Sequence, residues 1–267
     1  MERMFSRITY KSIAGASLVL AMLLCVPGVH AQQSEPLQPG PELPIAIRTP
    51  GEIQFKTPDF TFVRVKHSAA SWATDFPAAD RRFSAWVQNR TGLSTNGDGL
   101  ALELTDSMLS QYPFIYIVEG GRMSLNDAEV ASLRSYLLGG GFLMVDDFWG
   151  EQEWESLAAE LRRVFPNREP IELLPGHEIF RSFYEFNEKP QVPSLAAVRD
   201  SSASEQGEAR YFGLQDDAGR LMAVLCHNSD FGDAWEWEPS PAYYPREFSQ
   251  GRAVPMGINI VVYALSH

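Results

Sequence analysis

Apolar and polar residues alternate from Phe60 to Val65 (Phe-Thr-Phe-Val-Arg-Val), which predicts a first strand. Phe83, Trp86 and Val87 recur at helical spacing within 80–91, and Gly92 ends that helix. A short alternating strand is predicted at 100–104, with a helical turn from Asp106. Residues 114–118, Phe-Ile-Tyr-Ile-Val, are apolar without a break, as in a strand covered on both faces. Ser124 is expected to cap the next helix, with Asp127 three positions on. The apolar stripe of that helix runs from Ala128 through Leu133 to Leu138, and Gly139-Gly140-Gly141 stops it. Phe142 to Val145 is a second unbroken apolar run, and an amphipathic helix follows over 151–165, closed by Pro166.

Buried strands alternating with helices of this length mean βαβ units. The C-terminal part differs, because 210–214 and 220–226 flank Asp216-Asp217-Ala218-Gly219, a hairpin signal. The segment 257–265 reads as a short helix packed on the sheet. The expected fold is therefore α/β, a mostly parallel sheet with flanking helices of glutaminase-like or flavodoxin-like type. An antiparallel hairpin is added near the C-terminus.

The first 31 residues carry a different pattern. Arg3, Arg7 and Lys11 precede an apolar stretch from Ile13 to Val26, and Val29-His30-Ala31 offers small residues where a signal peptidase cuts. That stretch is shorter than the roughly 20 residues a membrane-spanning helix needs. Leu24 before Cys25 does not fit a lipoprotein signal. Residues 1–31 are thus expected to be a cleaved signal, placing the protein in the periplasm or outside the cell with no transmembrane segment left. Residues 32–58 are rich in Pro, Gln and Gly and read as an extended arm, and 59–267 as one domain.

The chain has 267 residues and a formal net charge of −12. Losing the signal removes Arg3, Arg7, Lys11 and Glu2, so the mature charge becomes −14. That acidity excludes a general phosphate-binding surface, and no nucleic-acid partner is expected. An envelope protein or glycan remains as the partner class. Cys226 is the one cysteine left in the mature chain, so no internal disulfide can form.

Four strings carry a family resemblance: WATDFPAADRRFS at 72–84, GGGFLMVDDFWG at 139–150, CHNSDFGDAWEW at 226–237 and GINIVVYAL at 257–265. Together they resemble the bacterial domain-of-unknown-function family numbered 4159, from about Phe60 to the C-terminus. The resemblance implies a class I glutamine amidotransferase-like fold and an envelope setting, without a known reaction. PGHEIF at 175–180 is similar to a His-Pro-Ile-Phe segment of such folds, with Glu178 in place of the proline.

Ligands of parallel sheets bind beyond the carboxyl ends of the strands. Glu119 follows 114–118, Asp146, Asp147 and Trp149 follow 142–145, and His227, Asn228 and Asp230 follow the last apolar strand. With Asp233, Trp235 and Glu236 they form the expected crevice. A cysteine nucleophile is not expected: Cys226 lacks flanking glycines, and it points to the opposite face from His227. Asp146, Asp147, His227, Asp230, Asp233 and Glu236 offer oxygen ligands with one nitrogen, suited to Ca²⁺, Mg²⁺ or Mn²⁺. The competing reading is that these acids cap helices and hold loops. Paired carboxylates beside Trp149, Trp235 and Trp237 also fit sugar hydrolysis. Arg246 is expected to fold back on the acidic loop, and Asp80-Arg81-Arg82 to be a helix start with solvated cations.

The lead reading is a non-catalytic binding or scaffolding module of the bacterial envelope with a degenerate glutaminase-like site. No cofactor is required by it, although a divalent cation stays open. The alternative is a hydrolase of envelope glycan or peptide. Convergence of carboxylates and His227 on one pocket separates the two.

Overall fold

The computed structural model describes residues 58–200, 207–236 and 243–267. The expected signal, the arm up to residue 57 and Trp237 lie outside the described residues. In chain order the strands are β1 Phe60–Val65, β2 Thr95–Leu102, β3 Phe114–Val118, β4 Phe142–Phe148, β5 Ile171–Glu172, β6 Arg210–Gln215 and β7 Leu221–His227. The helices are α1 Ala78–Thr91, α2 Asp127–Leu138, α3 Gly150–Val164, α4 Leu195–Arg199, α5 Phe231–Glu236 and α6 Val254–Ser266. A π-helical segment, Pro245–Ala253, leads into α6.

The seven strands form one sheet in the order β2-β1-β3-β4-β7-β6-β5. β2, β1, β3, β4 and β7 run parallel, while β6 and β5 pair antiparallel at one edge. The α/β class, the parallel body and the added hairpin are as the hydrophobic pattern predicts.

The period of two along β3 divides the core. Phe114, Tyr116 and Val118 face one layer with α1, α5 and α6, while Ile115 and Ile117 face the other with α2 and α3. Helix α6 is buried along most of its length, which makes Asn259 the exception to explain. Its amide accepts from the backbone N–H of Phe183 and Tyr184 and donates to the Tyr184 carbonyl, so its polar atoms are matched.

Three boundaries differ from expectation. Strand β2 starts five residues earlier than residue 100, because an edge strand reads as polar and glycine-rich (Thr-Asn-Gly-Asp-Gly) yet still pairs with β1. Helix α2 is capped by Asn126 and not by Ser124. Asn126 Oδ1 accepts from Glu129 N at 3.0 Å and Glu129 answers Asn126 N at 2.8 Å, a reciprocal cap. Leu125 before that cap and Val130 after it are both buried, which fixes the entry of the chain. Strand β4 runs on to Phe148, so Asp146 and Asp147 belong to the sheet itself. No helix among the described residues is long and apolar enough to cross a membrane.

Candidate functional site

Strand β1 lies between β2 and β3, so the chain passes to opposite sides of it, and sheets of this kind bind ligands beyond the strand ends at such a switch point. The non-glycine residues with left-handed backbone among those described are Asp75 (φ 60°), Glu119 (φ 49°), Asp147 (φ 53°) and Asn228 (φ 56°). Asp75 lies on the loop between β1 and α1, and the other three lie at the ends of β3, β4 and β7. A strained backbone of this kind costs about 1–3 kcal/mol per residue and gathers where a structure serves a site.

Asp75, Asp233 and Glu236 each bring a carboxylate oxygen into a group whose members lie within 4.8 Å of one another. Asp75 approaches Gly232 so closely that a side-chain carbon there would stand 2.3 Å from Asp75 Oδ2. Burial, with the charges of Asp233 and Glu236 added, pushes the Asp75 carboxyl up to about 8. The loop that carries it is tied down by Arg64 on β1, whose Nη1 donates to the carbonyls of Trp72 (3.2 Å) and Thr74 (2.8 Å).

Asp146, wholly buried near the end of β4, sits behind this group. Its Oδ2 accepts from the Tyr116 hydroxyl at 3.0 Å and from the N–H groups of Phe231 (2.8 Å) and Gly232 (3.2 Å) at the start of α5. Its Oδ1 has no hydrogen-bond partner. Burial outweighs these donors and pushes the carboxyl up to about 7. Asp230 accepts from Asp233 N at 2.7 Å, and burial followed by the charges of Asp147 and Asp233 holds it well above the usual carboxylate range. Asp147 accepts from the Trp149 indole N–H at 2.7 Å and is also pushed well up by burial. Asp233 Oδ2 accepts from Leu195 N at 2.7 Å.

The expected imidazole does not join the carboxylates. His227 faces the other side of the sheet, stacks on Phe148 at 5.2 Å and places Nε2 3.0 Å from the Gly150 carbonyl. Burial lowers its pKa. Trp235 is a core residue, not a crevice wall: it is 1% exposed, stacks on Phe83 at 4.1 Å and donates to the Ala253 carbonyl. Asn228 closes the end of β7 by accepting from Gly150 N and donating to the Glu208 carbonyl. Glu119 accepts from the Thr74 hydroxyl at 2.8 Å and pairs with Arg122. Arg246 is exposed and forms no ion pair with the cluster among the described residues. Asp80, Arg81 and Arg82 lie in the first turns of α1, where Arg81 is exposed while Asp80 is buried against Arg64.

The amides at the start of α3 are also occupied. Trp149 N donates to Glu153 Oε2 at 2.7 Å and Gly150 N to Asn228 Oδ1 at 2.9 Å. The Gly120-Gly121 turn presses on the same helix, and a side-chain carbon on Gly121 would lie 2.9 Å from Glu153 Cα. Cys226 is fully buried, with its thiol pushed well up by burial. An open cavity of about 490 Å³ lies at the amino ends of β3 and β4. Tyr112, Tyr136 and Gly141 line it, far from the carboxylates along the strands.

Asp75 and Tyr116 were not legible as site residues from spacing. Asp75 does lie inside the string WATDFPAADRRFS, one of the four shared with the family.

The model of the family described as Domain of unknown function (DUF4159) matches residues 61–265, and the chain belongs to that family. No curated protein matches the chain.

Proposed function

We propose that this member of the DUF4159 family is an exported, non-catalytic binding module of the bacterial envelope, built on a glutaminase-like sheet. Its crevice takes a cationic ligand. The observation that carries this reading is the turn between β4 and α3. Hydrolases of the glutaminase kind raise a Cys or Ser on a left-handed residue at such a turn, next to free amides that receive the oxyanion. Here the left-handed residue is Asp147, its carboxyl is held by Trp149, and the adjoining amides are taken by Glu153 and Asn228. Cys226 is buried in the core instead. What the crevice offers is negative charge, and Arg64, which lies beside it, is committed to Asp80.

A second reading, hydrolysis of envelope glycan or peptide, is favoured by one feature: Asp75, with a carboxyl raised to about 8, stands beside Glu236. One experiment decides between them. The purified full chain is assayed for hydrolysis of glutamine, peptide amides and chromogenic glycosides, alongside Asp147→Asn and Asp75→Asn. The binding-module reading expects no turnover above buffer. Turnover that either substitution abolishes would overturn it.

A further inference from the structure

We propose that the cavity at the amino ends of β3 and β4 is a second binding site, and that it takes a neutral saccharide. It lies at the other end of the strands from the acidic crevice and does not depend on what the crevice holds. Its volume is about 490 Å³, within the roughly 300–1,000 Å³ of small-molecule pockets. Three segments enclose it: residues 104–113 with their 3₁₀ turn Leu109–Gln111, the last turns of α2, and Gly139-Gly140-Gly141.

The walls are pinned in place. The Tyr136 hydroxyl donates to the Tyr112 carbonyl at 2.9 Å, and Phe142 N donates to the Pro113 carbonyl at 2.8 Å, which ties the loop to α2 and to β4. Arg220 reaches across from the hairpin and donates to the carbonyls of Leu137 (2.7 Å) and Gly141 (3.4 Å). The Tyr136 ring lies so close to Gly141 that a side-chain carbon there would stand 2.3 Å from it, so glycine alone fits. A site held this way is preformed and loses little affinity to ordering its own walls.

The groups left over select the ligand. The side chains of Thr105, Ser107, Ser110, Gln111, Ser132 and Ser135 line the cavity, and none has a hydrogen-bond partner among the described residues. All six are neutral, and each can both donate and accept. Beside them Leu104 and Leu109 are buried, and half-buried Tyr112 supplies an aromatic face. A sugar ring presents hydroxyls at its edge and apolar C–H groups on its face, which matches both kinds of wall. Charge excludes the other ligand classes. No Lys or Arg stands among the described lining residues to hold an anion. The one carboxylate of the lining, Asp106, accepts from Met108 N at 2.8 Å, and a single carboxylate is too few for a metal ion.

The test is calorimetric titration of the full chain with the neutral disaccharides chitobiose, cellobiose, maltose and lactose, and with digalacturonate as the anionic comparator. Tyr112→Ala removes the aromatic face, and Ser135→Trp fills the cavity from an exposed position on α2. Circular dichroism checks that both variants fold, and Ser135→Trp decides alone if Tyr112→Ala does not. At least one neutral disaccharide is expected to bind at one site per chain, with digalacturonate about tenfold weaker or worse. That affinity should fall about tenfold or more in Tyr112→Ala and vanish in Ser135→Trp. The proposal is overturned if none of the neutral disaccharides gives heat up to about 10 mM, well above a Kd of about 1 mM. It is equally overturned if folded Ser135→Trp binds as the parent does, or if digalacturonate binds as tightly as the neutral sugars. None of these results touches the reading of the acidic crevice, which catalytic turnover tests.

Discussion

Arg64 and Asp80, neither exposed to solvent, form a bidentate ion pair in which Arg64 Nη2 lies 2.5 Å and Nε 3.1 Å from Asp80 Oδ1. The pair joins strand β1, next to the edge of the sheet, to helix α1, and the guanidinium sits 5.0 Å over the Tyr116 ring. The remaining donors of Arg64 reach the loop that ends in Asp75, so one residue holds both the layer packing and the position of the site. Removing one member of such a pair strands the other charge in the core. Asp80→Ala should therefore cost about 3–5 kcal/mol in urea unfolding. A loss below about 1 kcal/mol, the size of an exposed pair, would mean that the pair is hydrated in solution.

The raised carboxyls make stability depend on pH with an unusual sign. Asp75 and Asp146 have folded values of about 8 and 7, above the value of about 3.9 expected of an unfolded aspartate. The stability linked to their protons is fully present below the unfolded value and is lost as pH rises through 7 to 8. In chelator, the unfolding free energy should rise as pH falls from about 8 toward 5, by up to about 1.4 kcal/mol per pH unit for each group that takes up its proton, and the melting temperature should rise with it. Asp75→Asn should flatten the upper part of that curve. A melting temperature that climbs with pH over this interval would contradict the assignment.

Asp147→Asn should stabilise the protein at pH 8. Asparagine tolerates left-handed backbone and can still accept from the Trp149 indole, while one charge leaves a crowded acidic region. The expected gain is about 0.5–2 kcal/mol, the range seen when a strained functional position is relaxed. Thermal unfolding at matched pH measures it, and a loss of stability would show that this carboxylate makes a needed contact.

Cys226 should not react with thiol reagents in the native protein, because its sulfur is buried between β-strand neighbours and its ionisation is suppressed. Ellman's reagent should label it on addition of denaturant, and Cys226→Ala should bind ligand as the parent does. Rapid native labelling would place the thiol at a surface.

Expression of the full chain in a bacterial host should yield a periplasmic product whose N-terminal residue is Gln32. Edman sequencing or intact mass reads this directly, and a product that keeps Met1 would remove the envelope assignment.

The fold was legible wherever burial is uniform. Strand β3 and the first four residues of β4 announce themselves because both faces are covered and those positions are all apolar. Strand β2 begins with Thr95-Asn96-Gly97-Asp98 because an edge strand pairs on one side alone, and its polar start reads as a loop. The site was half legible. Asp146 and Asp147 lie at the end of β4 and Asp230 just beyond β7, where strand ends were expected, while Asp233 and Glu236 lie on α5. Asp75 escaped because it sits on a connecting loop ahead of α1, and its role depends on a contact with Gly232, far away in sequence. Arg64 escaped for a related reason: alternation in β1 marks it as a surface position, and what covers it is Asp80 from the next helix. His227 misled because adjacent residues on a strand face apart, so its neighbours in sequence say little about its neighbours in space.

The carboxylates of the crevice come from positions near both ends of the described chain, Asp75 at one and Glu236 at the other. No local segment can assemble them, so the group is absent from any partly folded chain and arises when the last long-range contacts close. Whatever occupies the crevice then binds the finished structure alone and draws the folding equilibrium toward it.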